Sequence, residues 1–221
     1  MKVDKIKHYQ SLFIDHVQRQ GLREHLYQYE VQYNWQQHWD IESLELYSVY
    51  DNALTSSISG RLWGGSQNSA KESMLAMIKS QKEFVRSAFR DLFAHEKDLG
   101  LRCDRFLFYC DEAIKGVADK KMVDHRHDRR IMSLYLALES PSEYALFDYE
   151  YFHKMMVKLE ARNIPTQYEL SRYQKSMKAI HTVMSKDEKW TATMKAAVGE
   201  NYTEGSLLIM QEYMQFVVES A

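Results

Sequence analysis

Proline and glycine are scarce, at 2 and 8 of 221 residues. Sandwiches, barrels and loop-rich folds use these residues at their many turns, so their scarcity sets β architectures aside and points to helices. Cysteine is also too rare for a disulfide framework or a Cys-only zinc site. The two thiols, Cys103 and Cys110, are seven residues apart, two turns along one helix face and about 10 Å along its axis. That is beyond the reach of a bridge within one helix, so both read as free, buried thiols in a reducing compartment. No run approaches the ~20 apolar residues that cross a bilayer, and the first residues carry no apolar signal core. The expected location is the cytoplasm. An excess of either charge is missing as well: 29 Lys+Arg stand against 31 Asp+Glu, a formal net charge of -2. This argues against a generally basic nucleic-acid coat and leaves room for a local basic face.

What is present is apolar spacing of the helical kind. Ile6, Tyr9, Leu12, Phe13 and Val17 form the first stripe, with a break expected at Gly21. Asp40, or alternatively Ser43, is placed to cap a helix carrying Ile41, Leu44, Tyr47 and Leu54 inward. Ser69 or Ser66 would cap the next, with Met74, Met77 and Ile78 inside; Phe84, Val85, Ala88, Phe89, Leu92 and Phe93 stripe another. Gly100 reads as punctuation after it. Cys103, Phe106, Leu107, Cys110, Ile114 and Val117 form the strongest periodic run. After a polar connection come Ile131, Leu134, Tyr135 and Leu138, closed by Ser140-Pro141. Tyr144 to Tyr149 reads as a short extended piece. Three further stripes run through Phe152 to Leu159, Tyr173 to Met184, and Leu207 to Val217. The expectation is an all-α protein of eight or nine helices in one multi-helix globular domain, residues 1–221. Within it, residues 1–31 would form an N-terminal helical arm and 32–221 the main body.

Two segments invite a chemical reading. The glycine-rich stretch Ser59-Gly60-Arg61-Leu62-Trp63-Gly64-Gly65-Ser66 resembles a phosphate cradle only superficially. The lysine that should follow the last glycine is missing, and Lys71 arrives too late. A surface loop is the stronger reading. Trp35, Trp39 and Trp63 have faces on which a base would stack, but burial against neighbouring segments is the greater gain for so large a side chain.

The second segment is Asp124-His125-Arg126-His127-Asp128-Arg129-Arg130. On a helix, His125, Asp128 and Arg129 share one face and His127 with Arg130 another. Such a face supplies at most two metal ligands, so no metal and no cofactor is expected. His127-Asp128 with His95 upstream and Asp187 downstream also fits the ligand types of an HD-type, metal-dependent phosphohydrolase. That reading requires all four to converge, beside arginines that oppose a cation. Arginines and histidines together suit phosphate, which guanidinium groups bind in a bidentate manner. The alternative is a solvated helix start whose charges pair locally. Candidate nucleic-acid contacts are therefore Arg61, Trp63, His125, Arg126, Arg129 and Arg130, and no catalytic residue is assigned.

The order of segments carries a resemblance. Trp35-Gln36-Gln37-His38-Trp39-Asp40 is followed by Leu46 to Leu54, by Leu62-Trp63, by Lys71-Glu72-Ser73-Met74-Leu75 and by Val85 to Phe93. Then come His125 to Leu138, Pro141 and Tyr144. Over roughly residues 30 to 160 this resembles the helical N-terminal region of McrB-like AAA+ proteins, the nucleotide-hydrolysing subunits of modification-dependent restriction and antiphage systems. The resemblance implies a non-catalytic targeting or sensing part, some versions of which recognise modified DNA. Its partners would be an AAA+ motor and, through it, an McrC-like nuclease. The chain has no Walker A or B motif, so nucleotide hydrolysis is not expected of it. A protein–protein interaction module is the second expectation, with an exposed Met- or Tyr-rich face as its contact surface.

Overall fold

The computed structural model describes residues 1–22, 25–56, 62 and 69–220. Among these the protein is all-α, with ten α-helices, a 3-10 turn at Gly199–Asn201 and no strand. The helices are α1 (Val3–Gln20), α2 (Leu26–His38), α3 (Leu46–Ala53), α4 (Ala70–Leu92), α5 (Leu99–Lys115), α6 (Arg129–Glu139), α7 (Tyr149–Lys158), α8 (Leu170–Met184), α9 (Glu188–Val198) and α10 (Ile209–Glu219). They group into two compact units, one formed by Met1–Tyr29 with Ser140–Ala221 and the other by Glu30–Glu139.

In the first unit α1 packs on α8, α9 and α10. It ends at Gly21, whose φ of 73° suits a residue without a Cβ. Phe13 is the centre of this core: its ring lies 5.6 Å from that of Trp190 and 5.7 Å from Tyr213, meeting Tyr213 edge to face. Gln10 is buried beside it and donates to the Met184 carbonyl at 3.0 Å and to Asp187 at 3.2 Å. Residues 144–148 belong to no helix and join no sheet, and Tyr149, expected at the end of an extended piece, opens α7. Gln174 clamps Ala145 through both backbone groups, and the Tyr173 hydroxyl donates to the Leu146 carbonyl at 2.5 Å. Side chains of α8 therefore satisfy the backbone that a neighbouring strand would otherwise pair.

In the second unit α4 and α5 are packed neighbours, with α3 also against α4. Ser69 and Glu72 form a reciprocal capping box at the start of α4, while Ser66 lies outside the described residues. The two stripes expected as separate helices belong to one element, bent at Gln81 (φ -145°, ψ 54°). The Gln81 side chain leaves the bend to donate to the Ala113 carbonyl at 2.9 Å, filling the space that a Cβ on Gly116 would need.

Two local expectations are corrected. α3 begins at Leu46, not after Asp40 or Ser43, and turns Leu46, Tyr50 and Ala53 inward; Leu44 and Tyr47 are exposed. Buried Arg86 holds the preceding chain by donating to the carbonyls of Ile41 and Ser43, which occupies the segment before α3 in a non-helical path. Gly100 does not end a helix: Asp98 caps α5, and Gly100 lies in its first turn.

Helix α6 runs through the middle of this unit. Every residue from Ile131 to Leu138 is buried. Its last carbonyls have no partner within the helix, and α2 supplies them: Gln32 donates to Ala137 at 3.0 Å, and Gln36, one turn on, donates to Leu138. Trp35, stacked on Trp39 with ring centroids 4.3 Å apart, donates from its indole nitrogen to Glu139 at 2.9 Å. The tryptophans thus serve packing and helix termination.

Candidate functional site

The entry to α6 brings together more chemistry than any other part of the described residues. The helix starts at Arg129, with Asp128 as its cap: its carboxylate accepts the Ile131 N–H at 2.9 Å. Residues 123–128 are not helical, so the shared helix faces expected for His125 with Asp128 and His127 with Arg130 do not exist. Arg126 instead adopts a left-handed backbone (φ 58°). His125 and His127 turn inward and are buried, while the side chain of Arg126 is 60% exposed.

Both imidazoles are fixed by backbone and side-chain partners. His125 Nδ1 accepts the His127 N–H at 2.9 Å, so its proton resides on Nε2, which lies 3.2 Å from Asp111 Oδ1. His127 Nδ1 lies 2.7 Å from the His125 carbonyl and must donate to it, leaving Nε2 as the acceptor for the Tyr135 hydroxyl at 3.0 Å. The Tyr135 and Tyr50 hydroxyls are 2.7 Å apart, and the Ser73 hydroxyl approaches the His125 carbonyl at 2.5 Å. Helices α3, α4, α5 and α6 each contribute a polar group to this network.

Cys110, on the inner face of α5, completes the cluster. One donor atom from each of Cys110, His125 and His127 lies within 4.8 Å of the other two, and all three residues are buried. Burial pushes the Cys110 thiol well above its ordinary value, with the Asp111 charge adding to it. Burial, reinforced by neighbouring His125, lowers His127 to about 3. The set is therefore a neutral thiol and a neutral imidazole, which is not the thiolate–imidazolium arrangement of a cysteine nucleophile. Cys103, held up at about 11 by burial, is equally inert.

The six residues expected to contact nucleic acid are divided by this geometry. Arg61 and Trp63 lie outside the described residues, as does most of the glycine-rich loop. His125 and His127 face the interior, where a polyanion does not reach them. Arg126 is exposed and lies 3.4 Å from Asp124, Arg129 is half-buried, and Arg130 is exposed while donating to the Leu62 carbonyl at 3.1 Å. Of the residues named for the phosphohydrolase reading, His127 is buried, whereas His95 is exposed in the turn after α4 and Asp128 caps α6. Asp187 belongs to the other compact unit, where it caps α9.

Cys110, Asp111, Tyr135 and Tyr50 were not among the sequence-derived candidates. Spacing puts Cys110 on the apolar stripe of α5, and nothing local pairs a cysteine with histidines 15 and 17 residues further on. The alternating His-x-His pattern was the available signal, because alternation in a non-helical segment puts both rings on one side. No helix among the described residues is long and apolar enough to cross a membrane. In comparisons with known proteins, no family model, curated protein or solved structure matches the chain.

Proposed function

We propose that this chain is a non-catalytic recognition module, the helical front part of an McrB-like restriction ATPase, and that it binds DNA through arginines at the entry to α6. A partner motor and an McrC-like nuclease would then act on the bound DNA. The observation that carries the reading is the arrangement of Arg126 between two inward-facing, hydrogen-bonded histidines. The left-handed turn presents this guanidinium to solvent without the entropy loss of ordering a loose loop, and Arg130 lies one residue into the helix that follows. Guanidinium groups so held suit phosphate oxygens, which fix position along a duplex without reading its sequence. With a net charge of -2 the whole chain supplies no general attraction, so binding rests on this local face.

The test is binding of a short fluorescent duplex to the wild-type chain and to Arg126→Glu/Arg130→Glu. The double reversal should weaken binding at least tenfold while leaving the helical circular dichroism unchanged. Equal affinity in a folded double variant would remove these arginines from the interface.

A protein-interaction module is the second reading, and one observation favours it. Leu101 and Phe108, two turns apart on α5, are 63% and 59% exposed. Loss of partner capture on Leu101→Ser/Phe108→Ser, with DNA binding intact, would favour this reading.

A further inference from the structure

We infer that Cys110, His125 and His127 form a binding site for one zinc-class divalent cation, which ties the last turns of α5 to the segment entering α6. The three donor atoms lie within 4.8 Å of one another. Zinc bonded to nitrogen and sulfur at about 2.0–2.3 Å holds its ligands roughly 3.3–3.8 Å apart, so side-chain movements of about 1 Å close the set around the ion. A thiolate with two imidazoles is the donor chemistry that selects zinc over calcium or magnesium, which take oxygen ligands.

The surroundings fit this assignment. His127 donates Nδ1–H to the His125 carbonyl, which leaves Nε2 as the nitrogen with a lone pair to offer an ion; a backbone acceptor on the distal nitrogen is a common way to orient a zinc ligand. Tyr135 now donates to that Nε2 and would turn its hydroxyl toward Tyr50. His125 must bind through Nε2, so its proton moves to Nδ1 and the His127 N–H gives up this acceptor. The contacts of His125 Nε2 with Asp111 and of His127 Nε2 with Tyr135 are given up as well, and three hydrogen bonds are together a smaller loss than the gain from a three-ligand zinc site. Asp111, with Oδ1 3.2 Å from His125 Nε2, is already at ligand-to-ligand spacing and is suited to the fourth position. Binding forms one metal–sulfur and two metal–nitrogen bonds and releases the Cys110 thiol proton to solvent. His125 keeps its single proton.

The consequence is a cross-link between α5 and residues 125–127, closing the non-helical connection that presents Arg126. Cobalt(II) provides the direct test, because a thiolate ligand gives it an intense near-ultraviolet charge-transfer band that imidazole alone does not. The chain, stripped with chelator and shown to remain folded, should take up about one cobalt ion with this band. Zinc should then displace it. Cys103→Ser should behave as wild type, whereas Cys110→Ser should lose the band, and His127→Gln should weaken uptake by more than about 100-fold. Folded wild-type protein that shows no charge-transfer band at several equivalents of cobalt, or a band that survives Cys110→Ser, overturns the proposal. If Cys110→Ser does not fold, the wild-type titration and the Cys103→Ser control decide the matter.

Discussion

Tyr135 donates to His127 in the interior of the Glu30–Glu139 unit, and the Tyr50 hydroxyl stands 2.7 Å behind it. Both phenols are fully buried, and burial raises the pKa of each well above that of a free tyrosine. Tyr135 is thus the shared member of a three-group chain. Tyr135→Phe removes the partner of both neighbours and should cost about 2–3 kcal/mol in urea unfolding, because two buried polar atoms lose their hydrogen bonds. Tyr50→Phe leaves the His127 contact intact and should cost about 1 kcal/mol. The double variant should cost less than the sum of the two.

Arg86 gives a second prediction. Its guanidinium is almost wholly buried and donates to the Ile41 and Ser43 carbonyls, with Glu83 at 3.0 Å on its outer side. Replacement by Met keeps much of the apolar stem and leaves those carbonyls without their donor. A loss of about 2–3 kcal/mol is expected, together with faster amide exchange in residues 39–45. Arg86→Lys should recover only part of it, since an ammonium does not span two carbonyls as the planar fork does.

Helix capping supplies a smaller effect. Ser69→Ala breaks the reciprocal box with Glu72 and should cost about 1 kcal/mol, with fraying confined to the first turn of α4. Thermal unfolding of Ser69→Ala and Ser69→Asp distinguishes a lost cap from a lost packing contact. Asp, an equally good cap, should restore most of the stability.

The pH dependence has a defined sign. Burial holds His181 at about 4, below the ordinary histidine value of 6.5. The unfolded chain therefore takes up this proton first as pH falls. The contribution of the neutral ring is complete above about pH 6.5, declines between 6.5 and 4, and falls no further below 4. Unfolding free energies of wild type and His181→Gln across this range should converge as the pH drops, and parallel curves would contradict the assignment.

The legible part of the fold was where a helix buries one continuous stripe. The inward residues of α7, α8 and α10 were readable from spacing alone: Phe152, Met155 and Met156; Tyr173, Met177, Ile180 and Met184; Met210, Met214 and Val217 are all buried. Helix α9 is not legible because it presents Trp190, Thr193, Met194 and Val198, a face with a polar member and few aliphatics. Only the first residues of α2 are anticipated, as the end of the helical arm at 1–31, since its inward positions include Gln28 and Gln32, amides buried by tertiary hydrogen bonds that propensity does not anticipate. The return of residues 1–29 to pack with residues 140–221 has no local signal at all.

At the site, the arginines are legible as a charge cluster, and Arg129 and Arg130 do open α6, but Arg126 lies outside the helix. Left-handed Arg126 breaks the expected period just before α6 begins. Arginine rarely takes that conformation, and here both neighbouring imidazoles hold it through backbone hydrogen bonds. Cys110 joins them only through tertiary packing, so no spacing rule applied to it.

We propose that the exposed arginines at the entry to α6, Arg126 and Arg130, bind DNA through phosphate contacts. The most direct test is the affinity of the wild-type chain for a short duplex between 50 and 200 mM salt. Two phosphate contacts, from Arg126 and Arg130, give a logarithmic slope of about -1.8, a loss of roughly 12-fold over that range. A slope near that value, flattened in Arg126→Glu/Arg130→Glu, is the predicted result. No detectable binding at 50 mM, or an affinity that does not change with salt, would contradict it.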